Sequence, residues 1–586
     1  MFSATSPADT RATTAPSSPP APDGHAAGPR RRGRALRALI PSRAESGAAA
    51  LSAALFALAF PPFPLVLPAF LCLVPLGVFV ARLADREGDR AVGSAARAGF
   101  WFGLLGYGCN LYWIAVALSL FTKLAIAGYV AALLWLAPFV ALTTAALFLA
   151  RRHTRWPLVV LLPVAWVASE LVLNYLADLA FPWLPLGLSV TSHPVLAQIA
   201  DLSGVRGVSF WIAATNGLLA DAWLLLRPTP SLDLDRATTR PAGGRAALRV
   251  VAAGALAVAV AAYGQWRMRT TRLETVAPIA VVQPNIPEDE KLQRDNPDIF
   301  VGKLAALTRQ NYATSNPALM LWPETALPDF IDQHPNWPDS IAALARVERV
   351  PLIFGTLDIQ WKRPFAPPSA GTGDGEPQYD YYNAALLADA GGRIGVAPPY
   401  RKGYLVPIVE RVPFLDPAWF GGLKYFGGFG RGIDPEPFVL PFGKAGVLIC
   451  YESIFPQLSR RYRQHGAKLL LNITNDAWFG RSAAPYQHHA HMVLRAIENR
   501  VGVVRAANTG ISGYIDPLGV VHDETALFVP ATRTYLAQTT SVRTPYVAVG
   551  DWVGALSLLT IVVLVALDAR HRRRRTARDR TAAPLA

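Results

Sequence analysis

The sequence predicts a multi-span α-helical membrane domain of about eight helices joined to an external α/β domain. Three observations carry this. Hydrophobic residues make up 52% of the 586-residue chain and charged residues only 17%, with a mean hydropathy of +0.26. That balance is too apolar for a soluble protein of this length. Arginines collect in the two tails and in alternate loops between apolar runs. One stretch of about 270 residues, from Thr275 to Tyr546, instead alternates strand-like and helix-like segments.

Residues 1–45 are rich in Ala, Pro, Ser and Arg and read as a disordered basic tail. The apolar runs follow: Gly47–Phe60, Leu65–Ala81, Ala98–Phe121, Leu124–Ala150, Trp156–Tyr175, Gly207–Leu226, Ala246–Tyr263 and, far downstream, Ala548–Leu567. Most approach the ~20 residues a helix needs to cross a bilayer. Seven fall in 46–266, and the eighth occupies 547–568 ahead of a basic tail at 569–586.

Charge sets the orientation. The N-terminal tail, the loops holding Arg82–Arg97, Arg151–Arg155 and Arg227–Arg249, and the C-terminal tail all carry several arginines, whereas the loops between them carry few. Eight crossings place every basic segment on the cytoplasmic side. Arg267, Arg269 and Arg272 are a local exception. The 275–546 segment then lies outside the cytoplasm, and at this length it can bury a core of its own. The net charge of +15 follows the positive-inside pattern, which argues against a nucleic-acid partner.

Within 275–546, "PIAVVQ" (Pro278–Gln283), "ALMLWPE" (Ala318–Glu324), "PLIFGTL" (Pro351–Leu357), "NAALLAD" (Asn383–Asp389), "AGVLICYE" (Ala445–Glu452), "AKLLLNITN" (Ala467–Asn475) and "GVVRAAN" (Gly502–Asn508) read as buried strands. Asp339–Val347 and Tyr486–Asn499 read as helices, and Phe365–Gln378 as a surface loop.

Three of these segments end in reactive side chains. "LMLWPETALP" offers Glu324, "YRKGYLVPIVERVPF" offers Lys402 and Glu410, and "GVLICYESIFP" offers Cys450. Cys72 and Cys109 lie in apolar runs, so Cys450 is the one thiol outside the spans. A thiol needs a base to become a nucleophile, and an acyl oxyanion needs a cation or N–H donors. Glu, Lys and Cys supply that set, although each alone is ordinarily packing or a solvated charge.

The order "WPE", "RKGYLVP", "CYE" resembles the nitrilase superfamily. "QPNIP", "LVPIVERVPF", "ICYESIFP" and "NDAWFG" with the eight-span frame resemble its membrane branch, the apolipoprotein N-acyltransferases. The resemblance implies an α-β-β-α sandwich with Glu324 as general base, Lys402 as oxyanion stabiliser and Cys450 as nucleophile. It implies supporting roles for Glu410, Tyr451, Glu452 and Asn383, and places Trp478 in a loop near the entrance. Val409 stands where members often carry Gly. The implied reaction moves an acyl chain from a phospholipid, typically the sn-1 position of phosphatidylethanolamine, to the N-terminal amine of an S-diacylglyceryl cysteine apolipoprotein. It runs through a Cys thioester at the bacterial inner membrane and needs no cofactor or metal. A membrane-tethered amidase or hydrolase of the same superfamily is the alternative, since the triad alone does not select the acceptor.

Other residues have two readings each. Glu170 lies inside the fifth apolar run and is either functional or an inter-helix or near-interface structural contact. The aromatic, Gly-rich stretch Trp419–Gly432 is either a packed loop or an acyl-chain contact through Trp419 and Phe420. "FPWLPLG" (Phe181–Gly187) reads as an interfacial loop beneath the α/β domain. His488, His489 and His491 lack acidic or Cys partners at metal-ligand spacing.

Overall fold

The computed structural model describes residues 40–86, 91–120, 122–228, 242–293, 298–361, 379–411, 428–433 and 435–581. The predicted apolar runs are largely helical: α1 (Arg43–Leu58), α2 (Val74–Arg86), α3 (Val92–Leu111) continuing as α4 (Trp113–Ser119), α5 (Ala125–Thr154), α6 (Leu158–Asn174), α7 (Ala200–Leu226), α8 (Ala242–Thr270) and, after the α/β part, Trp552–Thr581. By length and composition the spans Leu67–Arg86, Ala125–Thr154, Ala200–Leu226, Ala242–Thr270 and Trp552–Arg574 are sufficient to cross a membrane. The run Ala98–Phe121 is not one straight span. It breaks after Leu111, and α3 and α4 meet at 56°. The helices α1 and α6 have 16 and 17 residues, short of a full straight crossing.

Apolar side chains face outward on these helices: Ile126, Leu134 and Leu142 on α5, Val250, Val251 and Val258 on α8. That surface suits lipid, not water, as solvent. Several buried charges inside the bundle are paired. Glu45, at the start of α1, receives Arg97 at 2.7 Å, and Arg206 in α7 pairs with Asp551 and donates to the Glu170 carbonyl. Arg267, the apparent exception to the charge rule, donates to Asp201 at 2.7 Å and so serves a structural pair.

Among the described residues, the α/β part holds two six-stranded sheets. The first contains β1 (Glu274–Gln283), β2 (Leu319–Leu321), β3 (Leu352–Trp361), β4 (Tyr379–Ala388), β5 (Tyr400–Arg401) and β12 (Ala531–Thr539), in the order β12-β1-β2-β3-β4-β5. The second contains β6 (Phe438–Leu440), β7 (Gly443–Ile449), β8 (Leu469–Thr474), β9 (Gly502–Ala507), β10 (Gly513–Ile515) and β11 (Val521–His522), in the order β11-β10-β9-β8-β7-β6. β1, β2 and β3 run parallel, as do β7, β8 and β9.

Period-two alternation builds the layers. Ile279 and Val281 of β1 join Leu319 and Leu321 in one core with Val447 and Leu471 of the second sheet. Ala280, Val282, Met320 and Trp322, one residue out of phase, pack instead on two helices, Asp298–Tyr312 and Asn336–Glu348. The second sheet is covered by the helices Pro456–Gln464 and Ala484–Asn499, through Tyr462, Met492 and Ile497. The result is an α-β-β-α sandwich. β12 pairs antiparallel with β1 from Glu274↔Thr539 to Gln283↔Ala531, so the chain enters and leaves the sandwich at one edge, between α8 and the last helix.

The sandwich is fastened to the bundle by polar contacts. Arg500 donates to Asp201 at 2.6 Å and to Gln198 at 2.7 Å. Gln487, fully buried, accepts from the indoles of Trp113 and Trp183 at 3.2 and 2.8 Å and donates to the carbonyls of Pro61 and Asn110. Glu170 accepts from the Trp166 indole at 2.9 Å and from the Leu186 backbone at 2.7 Å, which is the contact reading of that carboxylate. It thereby fixes the "FPWLPLG" loop, whose Trp183 reaches up against Tyr451.

Candidate active site

Glu324, Lys402 and Cys450 come from different strands and meet in one cavity of about 700 Å³. Glu324 lies three residues past β2, Lys402 directly after β5 and Cys450 directly after β7. Strand ends carry the site because there the backbone leaves the ladder while the sheet still holds it rigid.

Each carboxylate oxygen of Glu324 is occupied. Oε1 accepts from Asn383 Nδ2 at 2.7 Å and Lys402 Nζ at 3.3 Å, and Oε2 accepts from the Asn475 backbone N–H at 2.8 Å. Glu410 Oε1 accepts from Lys402 Nζ at 2.8 Å and Asn383 Nδ2 at 3.0 Å, while its Oε2 accepts from the Val406 N–H at 2.8 Å. Asn383, on β4, thus holds both carboxylates around a single ammonium. Lys402 is 1% exposed. Burial alone would depress its ammonium, but Glu410 and Glu324 hold it above its ordinary value.

The thiol is buried among these charges. Burial, and then the Glu324 carboxylate, push Cys450 well above the ordinary thiol value, and Lys402 only partly opposes them. The resting sulfur is therefore a protonated thiol, and a base must act as attack occurs. Cys450 also has φ of +48°, a left-handed backbone that a side chain rarely adopts.

The residues beside Cys450 are structural links. Glu452 accepts from the Ile449 N–H at 2.8 Å, the Gly403 N–H at 2.7 Å, the Tyr404 N–H at 3.2 Å and the Tyr400 hydroxyl at 2.8 Å. It ties the loop carrying Lys402 to the turn carrying Cys450. Burial pushes its carboxyl up to about 7 even with these donors. Tyr451 donates its hydroxyl to the Ala180 carbonyl at 2.7 Å and stacks on Trp183, so it joins the turn to the membrane-side loop.

Trp478 lines the cavity, next to Phe479. Trp419 and Phe420 lie outside the described residues. Beyond the carboxylates and thiol, one part of the cavity wall comes from the bundle and its interfacial loop, through Ile114 and Leu118 of α4, Ala131 and Trp135 of α5, and Phe181 and Trp183. Another part comes from the sandwich, through Leu357, Val406, Val409 and Phe429. Sequence reasoning missed Glu288 and Lys291, which also line it, and His488, which touches the Cys450 carbonyl. The i,i+3 spacing of Glu288 and Lys291 just past "QPNIP" was the one local signal for the first two.

Comparison with known proteins identifies the family of the chain. Residues 52–218 match the family model of the apolipoprotein N-acyltransferase N-terminal domain, and residues 278–533 match the carbon-nitrogen hydrolase model. An apolipoprotein N-acyltransferase of Geobacter metallireducens is 33% identical over 490 residues, covering 82% of this chain and 87% of the relative. The chain belongs to the apolipoprotein N-acyltransferase family. Relatives of the same name from Chlorobaculum tepidum and Rhodopseudomonas palustris are 31% and 30% identical, each over 89% of this chain and over 96% and 95% of their own length. Residues matched by both family models line the cavity. The N-terminal model takes in Ile114, Leu118 and Trp135, and the hydrolase model takes in Glu324, Lys402 and Cys450.

Proposed function

We propose that the chain transfers an acyl chain from a membrane phospholipid to the N-terminal amine of lipoproteins bearing an S-diacylglyceryl cysteine. The donor bond is the sn-1 ester of phosphatidylethanolamine. The site faces the periplasm or its equivalent, at the bacterial cytoplasmic membrane, and the reaction is the last step of lipoprotein maturation. The observation that carries this reading is the composite cavity, lined both by a thiol, a carboxylate and an ammonium and by apolar α4 and α5 side chains. An acyl ester of a lipid matches both kinds of lining, and neither lipidated substrate leaves the bilayer readily at ~0.8 kcal/mol per CH₂.

The reaction is ping-pong. Glu324 takes the thiol proton as Cys450 Sγ bonds to the ester carbon. Lys402 and a backbone N–H stabilise the oxyanion. The ester C–O bond breaks, the lysophospholipid oxygen takes the proton from Glu324, and the acyl group remains as a thioester. The lipoprotein amine, with an unperturbed pKa of about 7.7–8.0, is partly neutral at physiological pH. It attacks the thioester, Glu324 takes its proton, the C–S bond breaks and the thiolate recovers that proton.

The test uses the full-length protein, phosphatidylethanolamine labelled in its sn-1 chain and a diacylglyceryl peptide. Label is expected first on Cys450 and then on the peptide amine, with lysophospholipid in equal amount. Label released as free fatty acid, with none on the amine, would replace this reading with a hydrolase.

A further inference from the structure

Of the three neighbouring histidines in the helix Ala484–Asn499, His488 alone touches the backbone of the nucleophile. Its Nε2 lies 3.0 Å from the Cys450 carbonyl oxygen and 2.8 Å from Ser453 Oγ. Its Nδ1 lies 2.9 Å from Asp476 Oδ1 and 3.2 Å from Arg505 Nη2. Behind it, Arg505 of β9 donates to Asp476 Oδ2 at 2.6 Å, to Asn472 Oδ1 and to the Ile511 carbonyl. Thr474 donates to Asp476 Oδ1 at 3.0 Å. Burial would raise the Asp476 carboxyl, but Arg505 and His488 hold it well below the usual range. Arg505, Asp476 and His488 are each no more than 1% exposed. A closed chain of side chains therefore runs from β9, through the turn after β8, to the peptide bond that follows Cys450.

That peptide is the strained one. A left-handed non-glycine residue costs roughly 1–2 kcal/mol and persists only where its surroundings over-determine it. Holding the Cys450 carbonyl also fixes the plane of the Cys450–Tyr451 peptide. In a trans peptide the Tyr451 N–H then points the opposite way, rigidly.

We propose that His488, backed by Asp476 and Arg505, is a positioning residue for acyl transfer. Its Nε2–H holds the Cys450 carbonyl so that the thiol and the Tyr451 N–H face the ester carbon together, with that N–H joining Lys402 as an oxyanion donor. The inference rests on Cys450 being the nucleophile.

The test compares two reactions of the same sulfur in the full-length protein. Acylation by phosphatidylethanolamine develops an oxyanion. Alkylation by iodoacetamide, a displacement at saturated carbon, develops none. Both are followed by mass spectrometry of the Cys450 peptide under single-turnover conditions. His488→Ala is expected to slow acylation by about 10²–10³-fold, the loss typical of one oxyanion donor, while alkylation proceeds at the wild-type rate. His488→Gln, which keeps an N–H donor, is expected to recover part of the acylation. Asp476→Asn should shift the ratio of the two rates in the same direction, which serves if His488→Ala does not accumulate. Equal slowing of both reactions, or unchanged acylation, would overturn the inference. A wild-type protein that forms no adduct with the lipid at Cys450 would remove the nucleophile reading, and this inference with it.

Discussion

The Lys402 ammonium lies closer to Glu410, at 2.8 Å, than to any other carboxylate it touches. Glu410 is eight residues downstream, and its second oxygen is held by the Val406 N–H, so the loop Lys402–Glu410 closes on itself through its own ion pair. Glu324 shares the ammonium at a longer 3.3 Å. Glu410→Gln is therefore expected to leave Lys402 underpaired. Removing one partner of a buried pair costs roughly 3–5 kcal/mol. Acylation should fall steeply and the melting temperature should drop; a variant with normal turnover would show that Glu324 alone suffices for Lys402.

Cys450→Ala should abolish the labelled covalent adduct while the protein remains in the membrane. A labelled adduct that survives would assign the nucleophile elsewhere. Glu324→Gln should retain the thiol but not the acylation, because the carboxylate that receives the proton is gone.

The buried thiol sets a pH signature. Its folded pKa is raised above the ordinary value, so the thiolate fraction at neutral pH is small and grows about tenfold per unit as pH rises toward that pKa. Alkylation of Cys450 by iodoacetamide is expected to accelerate continuously from about pH 6 to 9. A plateau near pH 6, the mark of a preformed thiolate ion pair, would contradict the burial argument.

Gly355, in β3, lies directly behind Glu324. A Cβ there would fall 2.6 Å from the Pro323 carbonyl oxygen and 2.7 Å from Glu324 Cα. Backbone, not a flexible side chain, would have to yield. Gly355→Ala is expected to displace Glu324 and lower the acylation rate by at least about tenfold, in line with the cost of misplacing a catalytic group. Turnover at the wild-type level would mean that the strand absorbs the methyl elsewhere.

Glu452 makes folding stability depend on pH. Its folded carboxyl titrates at about 7, above the 4.5 of an unperturbed Glu. The folded state therefore holds the proton where the unfolded chain has lost it. This contribution is complete below the unfolded value and is lost as pH rises through about 7. The melting temperature should fall from about pH 5 to 8 more in the wild type than in Glu452→Gln. Parallel curves would assign the dependence to other groups.

Much of this site was legible in the sequence because its chemistry sits at the ends of apolar strands. "LMLWPE" and "GVLICYE" announce both a buried strand and the side chain that leaves it. The fold class followed from the same periodicities, since odd and even residues of β1 serve different cores. The polar scaffolding was harder to read. His488, Asp476 and Arg505 come from three elements and signal only through contact, and Gln487 looks like any helix glutamine. The bend between α3 and α4 was hidden because both helices are apolar and neither Pro nor Gly stands beside Tyr112. β5, β6, β10 and β11 escaped notice at two or three residues each, too short for a period of two to show. Long β12 was also missed, because its burial is patchy at the sheet edge.

Gln487 has an implication for protein engineering. Its one side chain answers the indoles of Trp113 and Trp183 and the carbonyls of Pro61 and Asn110, and all four partners precede the sandwich in the chain. Cutting the sandwich free as a soluble fragment would strand Gln487 and strip the α4 and α5 side chains from the cavity. Such a fragment would not be a smaller version of the enzyme. Attempts to obtain a water-soluble catalyst from this chain should graft replacement partners for Gln487 before they trim any helix.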